Sequence, residues 1–145
     1  MDKFLQEAFN EVRKGKSEGR IPIGSVNVHN GEVIGRGHNR RVQQGSTILH
    51  GEMDAFEKAG RHSAAVCREC TLYNTLSPCA MCSGAILLYG IPRVIIGEST
   101  SFTGEEDLLR SRGVDVQVPH DQQCIQLMQS FMVEQPALWN EDIGV

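Results

Sequence analysis

Two short segments, His50-Gly51-Glu52 and Pro78-Cys79-Ala80-Met81-Cys82, constrain this chain more than anything else in it. One imidazole and two thiols are good zinc ligands, and three ligands leave one tetrahedral position open. That open position marks a catalytic site, since a structural zinc takes a fourth protein ligand. The two segments are far apart in sequence, so the fold has to bring them to one point. Each lies where the surrounding pattern begins a helix, which calls for two helix N-termini meeting at one end of a sheet.

The spacing within each segment suits the chemistry. Cys79 and Cys82 are three residues apart and share a helix face. Near a helix N-terminus the positive end of the dipole favours thiolates over thiols, and biases His50 towards the neutral imidazole that a metal needs. Glu52 falls beside the open position, off the metal. There it can take a proton from activated water and deliver it to a leaving group.

The rest of the chain supplies the scaffold. Asp2 caps a first helix with Phe4, Leu5, Ala8, Phe9 and Val12 on one face, ending near Gly15 to Gly19. Ile21-Pro22 opens an extended run through Ile23, Val26 and Val28, and Asn30-Gly31 is a two-residue hairpin turn into Glu32 to Gly35. Arg36 to Ser46 lacks a period and reads as a loop carrying His38 and Asn39. Ser46 or Thr47 caps a second helix through Met53, Ala55, Phe56 and Ala59 to Gly60. Cys70 to Leu76 reads as a central strand, Ser77-Pro78 as the N-cap and N1 of a helix ending at Tyr89, and Arg93 to Gly97 as a parallel neighbour strand. A short helix near Glu105 to Ser111, a strand Val114 to Val118, a helix from Asp121 to about Val133 and a tail Pro136 to Val145 complete the reading. The expected fold class is α/β, a three-layer α/β/α sandwich with a five-stranded mixed sheet, in one domain spanning residues 1–145.

Composition sets the surroundings. A net charge of −4 argues against a protein held mainly by phosphate contacts. No apolar run approaches the ~20 residues that cross a bilayer, and no secretory signal is visible at Met1 to Phe4, so a cytoplasmic location is expected. Five cysteines, four of them in the pairs Cys67/Cys70 and Cys79/Cys82, fit metal or thiol chemistry better than a disulfide framework. Only Thr71 to Pro78 separates the pairs, too little for a zinc ribbon, so Cys67 and Cys70 are read as structural. Cys124 is read as helix core, and His29, His62 and His120 as surface or turn residues. His38 is assigned to loop structure, because a fourth ligand would close the site.

These residues resemble the cytidine and deoxycytidylate deaminase superfamily, and most closely the fungal-type cytosine deaminases, over nearly the whole chain. H-x-E followed by P-C-x-x-C is the signature of the zinc deaminases. Pro22-Ile23-Gly24, Gly35-Arg36-Gly37-His38-Asn39, Leu49-His50-Gly51-Glu52, Tyr89-Gly90-Ile91-Pro92-Arg93 and Trp139-x-Glu141-Asp142-Ile143-Gly144 narrow it further. The resemblance implies a homodimer, one catalytic zinc per chain on His50, Cys79 and Cys82, and Glu52 as the proton carrier. It implies that Asn39 and the Gly51 amide bind a pyrimidine carbonyl, and that Ser77 and Asp142 flank the amino group. Ile23, Phe102 and Trp139 become apolar walls and lid. From the residues alone, Asn39 serves equally as a turn residue and Trp139 as a tail anchor. Ala80, where the fungal enzymes carry an acid, and Asn140, where they carry an aromatic, depart from the pattern.

The implied reaction is hydrolysis of cytosine to uracil and ammonia, in pyrimidine salvage. A tRNA adenosine deaminase shares Pro-Cys-Ala-Met-Cys, and Arg36, Arg40 and Arg41 would suit its polyanion; the acidic tail at Glu141 and Asp142 speaks against it. Another free amino-heterocycle, a purine or pterin, is a further alternative. A non-enzymatic zinc protein has no use for Glu52.

Overall fold

A computed structural model describes residues 1–16 and 21–145. The elements run α1 (Lys3–Lys16), β1 (Gly24–His29), β2 (Glu32–His38), α2 (Arg41–Gln44), α3 (Gly51–Ala59), α4 (Ala64–Cys67), β3 (Cys70–Leu76), α5 (Ala80–Tyr89), β4 (Arg93–Glu98), α6 (Glu106–Ser111), β5 (Asp115–Gln117), α7 (Gln122–Glu134) and α8 (Pro136–Asp142). The strands form a five-stranded sheet in the order β2-β1-β3-β4-β5. β1 is antiparallel to β2 and β3, whereas β3, β4 and β5 are parallel. The mixed sheet expected from the sequence is therefore present. The rest of the stretch expected to end the first helix, residues 17–20, lies outside the described residues.

The period-2 alternation of the strands divides the core between the two faces. Val26, Val28, Tyr73 and Ile95 point towards α1 and meet Leu5 and Ala8. Leu72, Val94 and Ile96 point the other way and meet Ile86 of α5, Leu109 of α6 and Phe56 of α3. A third apolar cluster, Ile21, Ile23, Leu76, Met128, Phe131 and Trp139, closes the end of the sheet where the site lies. Asn30 and Gly31 both have positive φ, as the hairpin turn between β1 and β2 requires.

Two glycines set how close α3 comes to the sheet. A Cβ on Gly35 would fall on the Ala55 carbonyl oxygen, and one on Gly37 on the Ala55 amide nitrogen. With no side chains between them, the helix lies directly on the β2 backbone, and its N-terminus reaches the depth of the strand ends.

Several boundaries differ from the sequence reading, each for a local reason. The stretch Arg36 to Ser46 is not one loop: β2 continues to His38, and Arg41–Gln44 makes one helical turn closed by Gly45 at φ 58°. His38 is thus a buried strand residue facing Glu11 of α1, with Nδ1 3.4 Å from its carboxylate, rather than a loop residue. Ser46 does not cap α3. Its Oγ accepts from the Ile48 and Leu49 amides in a turn, and the capping position belongs to His50. Likewise Cys79, not Ser77, stands at the N-cap of α5. The tail is helical as α8, with Pro136 at its start, where a missing N–H costs nothing. Asp121 caps α7 as expected, its carboxylate accepting from the Cys124 amide.

The remaining cysteines, His62 and His120 match their structural assignments, whereas His29 is the half-buried last residue of β1, with Nε2 3.4 Å from the Glu69 carboxylate, rather than a turn residue. All five cysteines are free thiols; Cys70 is buried in the core with Cys67 packed against it, and Cys124 is buried on α7. His62 contacts the Ala59 carbonyl and His120 is a positive-φ turn residue. No helix among the described residues is long and apolar enough to cross a membrane.

Candidate metal centre and pocket

The two capping positions converge. His50 ends the segment leading into α3, Cys79 that leading into α5, and Cys82 sits one turn into α5. Their ligand atoms all lie within 4.8 Å of one another, and the His50 Nδ1 is 3.6 Å from the Cys79 Sγ. Among the described residues this is the one cluster of three His, Cys, Asp or Glu groups that could hold a metal ion. One nitrogen and two sulfurs at that separation are a donor set for tetrahedral zinc, with ligand bonds of roughly 2.0–2.3 Å.

The three ligand groups share their protons unequally. The Cys82 thiol pulls the Cys79 thiol down to about 4 against the opposing effect of burial, with His50 adding in the same direction. Burial works to lower the His50 pKa, but Cys79, Asp142 and Glu52 outweigh it and raise the imidazole to about 9. Cys79 is thus favoured as a thiolate, whereas His50 is favoured as the imidazolium rather than the neutral ring expected at a helix start. Cys79 together with burial pushes the Cys82 thiol up rather than down, so metal binding would displace protons from His50 and Cys82. Glu52 is 3% exposed, and burial lifts its carboxyl to about 7, with His50 opposing. A carboxyl that gains and loses a proton near neutrality, inside a closed site, is suited to carry one.

A cavity opens from this cluster, with room of ≈ 10 Å³ for water-sized occupants. That is the scale of a single water. Glu52, His50 and Cys79 line it on one side, Ser77 and Asp142 on another, and Ile23, Phe102 and Trp139 supply apolar wall. Phe102 and Trp139 meet edge to face at 5.8 Å between ring centroids. α8 therefore closes the mouth, and a nucleobase-sized ring enters only if α8 or the Phe102 loop gives way.

The comparisons with known proteins bear on this arrangement directly. The family model of the cytidine and deoxycytidylate deaminase zinc-binding region matches residues 1–98. The chain belongs to this deaminase family. It is 53% identical over 143 residues to a cytosine deaminase from Candida albicans, covering 98% of this chain and 95% of that relative. It is 41% identical over 138 residues to a tRNA-specific adenosine deaminase from Streptococcus pyogenes, covering 88% and 87%. Among solved structures, it is similar to one from work on A-to-I editing by tRNA:A34 deaminases, with a TM-score of 0.65, 27% identity and coverage of 79% and 95%. The fold also matches a guanine deaminase from Nitrosomonas europaea, with a TM-score of 0.76, 19% identity and coverage of 90% and 83%. The chain is thus a zinc-dependent deaminase, a hydrolase acting on C–N bonds.

Within this deaminase the sequence-predicted residues divide into two groups. Ile23, His50, Glu52, Ser77, Cys79, Phe102, Trp139 and Asp142 share the cavity wall, with Cys82 buried behind it. Asn39 and Gly51 are not on that wall. Asn39 is buried, donates from Nδ2 to Asp142 Oδ1 at 2.9 Å, and accepts on Oδ1 from the Arg41 amide. Gly51 backs onto the Ile23 carbonyl.

Three residues in or around the site escaped the sequence reading. Asn74 lines the cavity with its Oδ1 buried and unpartnered, while Nδ2 donates to the Leu76 carbonyl. A polar side chain between Leu72 and Leu76, on a strand otherwise apolar at those positions, was its signal. Ile143 lines the mouth beside Trp139. Glu106 reaches in from α6 to Ser77, and nothing in its local sequence distinguishes it from a solvated helix carboxylate.

Proposed function

We propose that this deaminase acts on a free nucleobase, hydrolysing cytosine to uracil and ammonia. The observation that carries the choice is the 53% identity to a cytosine deaminase over 98% of the chain. The apolar walls Ile23, Phe102 and Trp139 around the polar groups support it, since a planar ring packs on such walls. His50, Cys79 and Cys82 are the proposed zinc ligands. Zinc held by them supplies Lewis-acid activation of water, lowering its pKa towards about 7. Glu52 carries two protons in turn: one from the attacking water to the ring nitrogen, and then the one from the hydroxyl added at the ring carbon to the amine, which leaves as ammonia while the C=O forms. Asp142 and Ser77 flank that amine, Phe102 and Trp139 exclude solvent, and Asn39 and the Gly51 amide serve the ring carbonyl once the pocket has opened to admit it. The reading carries with it a single deaminase domain, a cytoplasmic homodimer and a place in pyrimidine salvage.

The arginines that would favour a tRNA substrate are already engaged. Arg36 pairs with Glu7, Arg40 Nε is 2.8 Å from Asp54, and Arg41 lies 3.5 Å from Asp142 and 3.6 Å from Glu141. Cations spent on carboxylates are poor phosphate ligands.

The test is ammonia release by zinc-loaded protein offered free cytosine, adenine, guanine, a pterin, cytidine and tRNA. Turnover of cytosine well above every other substrate is expected. Turnover of tRNA, falling steeply with salt and without ammonia from cytosine, would replace this reading.

A further inference from the structure

We propose that Glu106 is a positioning residue that fixes the hydrogen-bond polarity of Ser77, so that the pocket offers the exocyclic group of the ring an acceptor and no donor. The inference rests on the deaminase reading above and on Ser77 facing that group.

A serine hydroxyl has one hydrogen to donate and two lone pairs. At Ser77 the hydrogen is committed: Oγ donates to Glu106 Oε2 at 2.6 Å, within the short range of hydroxyl–carboxylate bonds. One lone pair is taken too, because the Gly104 amide donates to the same Oγ at 2.9 Å. A single lone pair remains, on a side chain that is 3% exposed and on the cavity wall. Rotation of the hydroxyl towards the cavity would cost the bond to a buried carboxylate.

The segment bearing Glu106 is held against this serine. A Cβ on Gly104 would fall on the Pro78 carbonyl oxygen, and the Glu105 amide donates to that same oxygen at 3.1 Å. Glu106 is 6% exposed, and its other oxygen is 3.8 Å from Arg110 on the outer side of α6. The carboxylate therefore spans from a surface arginine to the pocket serine, and Ser77 is the group it orients.

The consequence is discrimination between substrate and product. An amino group brings N–H donors to the remaining lone pair, whereas the carbonyl that replaces it brings a second acceptor to an acceptor. A site whose buried groups are left unmatched rejects the mismatched ligand. Glu106 thereby favours the amino-substituted ring and speeds departure of the keto product. Without it the Ser77 hydroxyl turns and donates to the product carbonyl.

The experiment measures KM for cytosine, the inhibition constant of uracil, kcat, zinc content and melting temperature. The proteins are wild type, Glu106→Ala, Ser77→Ala and the double variant. In Glu106→Ala the ratio of the uracil inhibition constant to the cytosine KM is expected to fall about tenfold, the scale of one hydrogen bond made or mismatched, with one zinc per chain retained. Adding Glu106→Ala to Ser77→Ala should leave the ratio where Ser77→Ala put it. A ratio unchanged from wild type, or an equal fall in the Ser77→Ala background, overturns the proposal. Should Glu106→Ala fail to fold, Glu106→Gln keeps the volume with a weaker acceptor; a fall in the ratio of at least about threefold is expected, and an unchanged ratio overturns it. If cytosine is not a substrate, the cytosine reading fails, and the same ratio measured with the base that is deaminated and its keto product still decides the role of Glu106.

Discussion

Arg41→Gln should loosen the lid. Arg41 is about nine-tenths buried, and its guanidinium lies 3.5 Å from Asp142, itself 2% exposed, and 3.6 Å from Glu141, which is 67% exposed. The Glu141 contact is solvated and contributes little. Removing the cation from beside Asp142 leaves a buried carboxylate supported by the Asn39 amide and the more distant His50. Breaking a buried pair costs about 3–5 kcal/mol when no other partner remains. Asn39 stays in place and the ion pair is long, so we take about 2 kcal/mol, roughly a thirtyfold shift from closed to open α8. Trp139, the single tryptophan of the chain, sits on α8 and is 5% exposed, so it reports the change directly. Its emission should move to the red and its quenching by acrylamide should rise, with KM increasing more than kcat falls. Glu141→Gln, the control, should do neither. Unchanged emission and quenching in Arg41→Gln would show that Arg41 does not hold the lid.

Glu11 gives a pH-dependent test. Burial pushes its carboxyl up, but His38 and Lys14 together outweigh that and bring it down to about 2. A carboxylate lowered in this way stabilises the fold fully above its unfolded value near 4.5, and the contribution disappears as pH falls towards 2. The shift corresponds to about 3 kcal/mol. Glu11→Gln should therefore lower the melting temperature at pH 7 and flatten its acid slope between pH 4.5 and 2; a parallel slope would refute the assignment. Gly37→Ala places a methyl on the α3 backbone and should cost about 1–3 kcal/mol, with reduced zinc occupancy because the His50 cap moves; normal zinc content and melting would contradict the close-approach account. Removal of zinc by a chelator should abolish ammonia release, and added zinc should restore it; activity surviving a verified zinc-free state would exclude the metal reading.

What the chain disclosed in advance followed from short-range rules. The Asn30-Gly31 turn, the alternation of β3 and β4 and the helical faces of α1 and α7 depend on neighbours in sequence, and all were legible. The convergence of His50, Cys79 and Cys82 was legible because metal chemistry restricts residue types and spacing tightly. The caps of α3 and α5 were misplaced because Ser and Thr are better intrinsic caps than His and Cys, and ligand geometry prevailed over propensity. α8 was hidden by its shortness and its leading proline. Asn74 and Glu106 depend on contacts between β3, α6 and the site, so local sequence carried little sign of their roles. Asn39 illustrates the reverse: its residue type fitted a substrate contact, yet its amide bonds Asp142 while the pocket is closed.

The measurement that bears most directly on the central claim is turnover by Glu52→Gln. The substitution keeps volume and removes the proton carrier while leaving the three ligand residues themselves unchanged. The protein should bind one zinc per chain, melt close to wild type, and release ammonia from cytosine at least about 10²-fold more slowly. Wild-type turnover by a zinc-loaded Glu52→Gln protein would contradict the account.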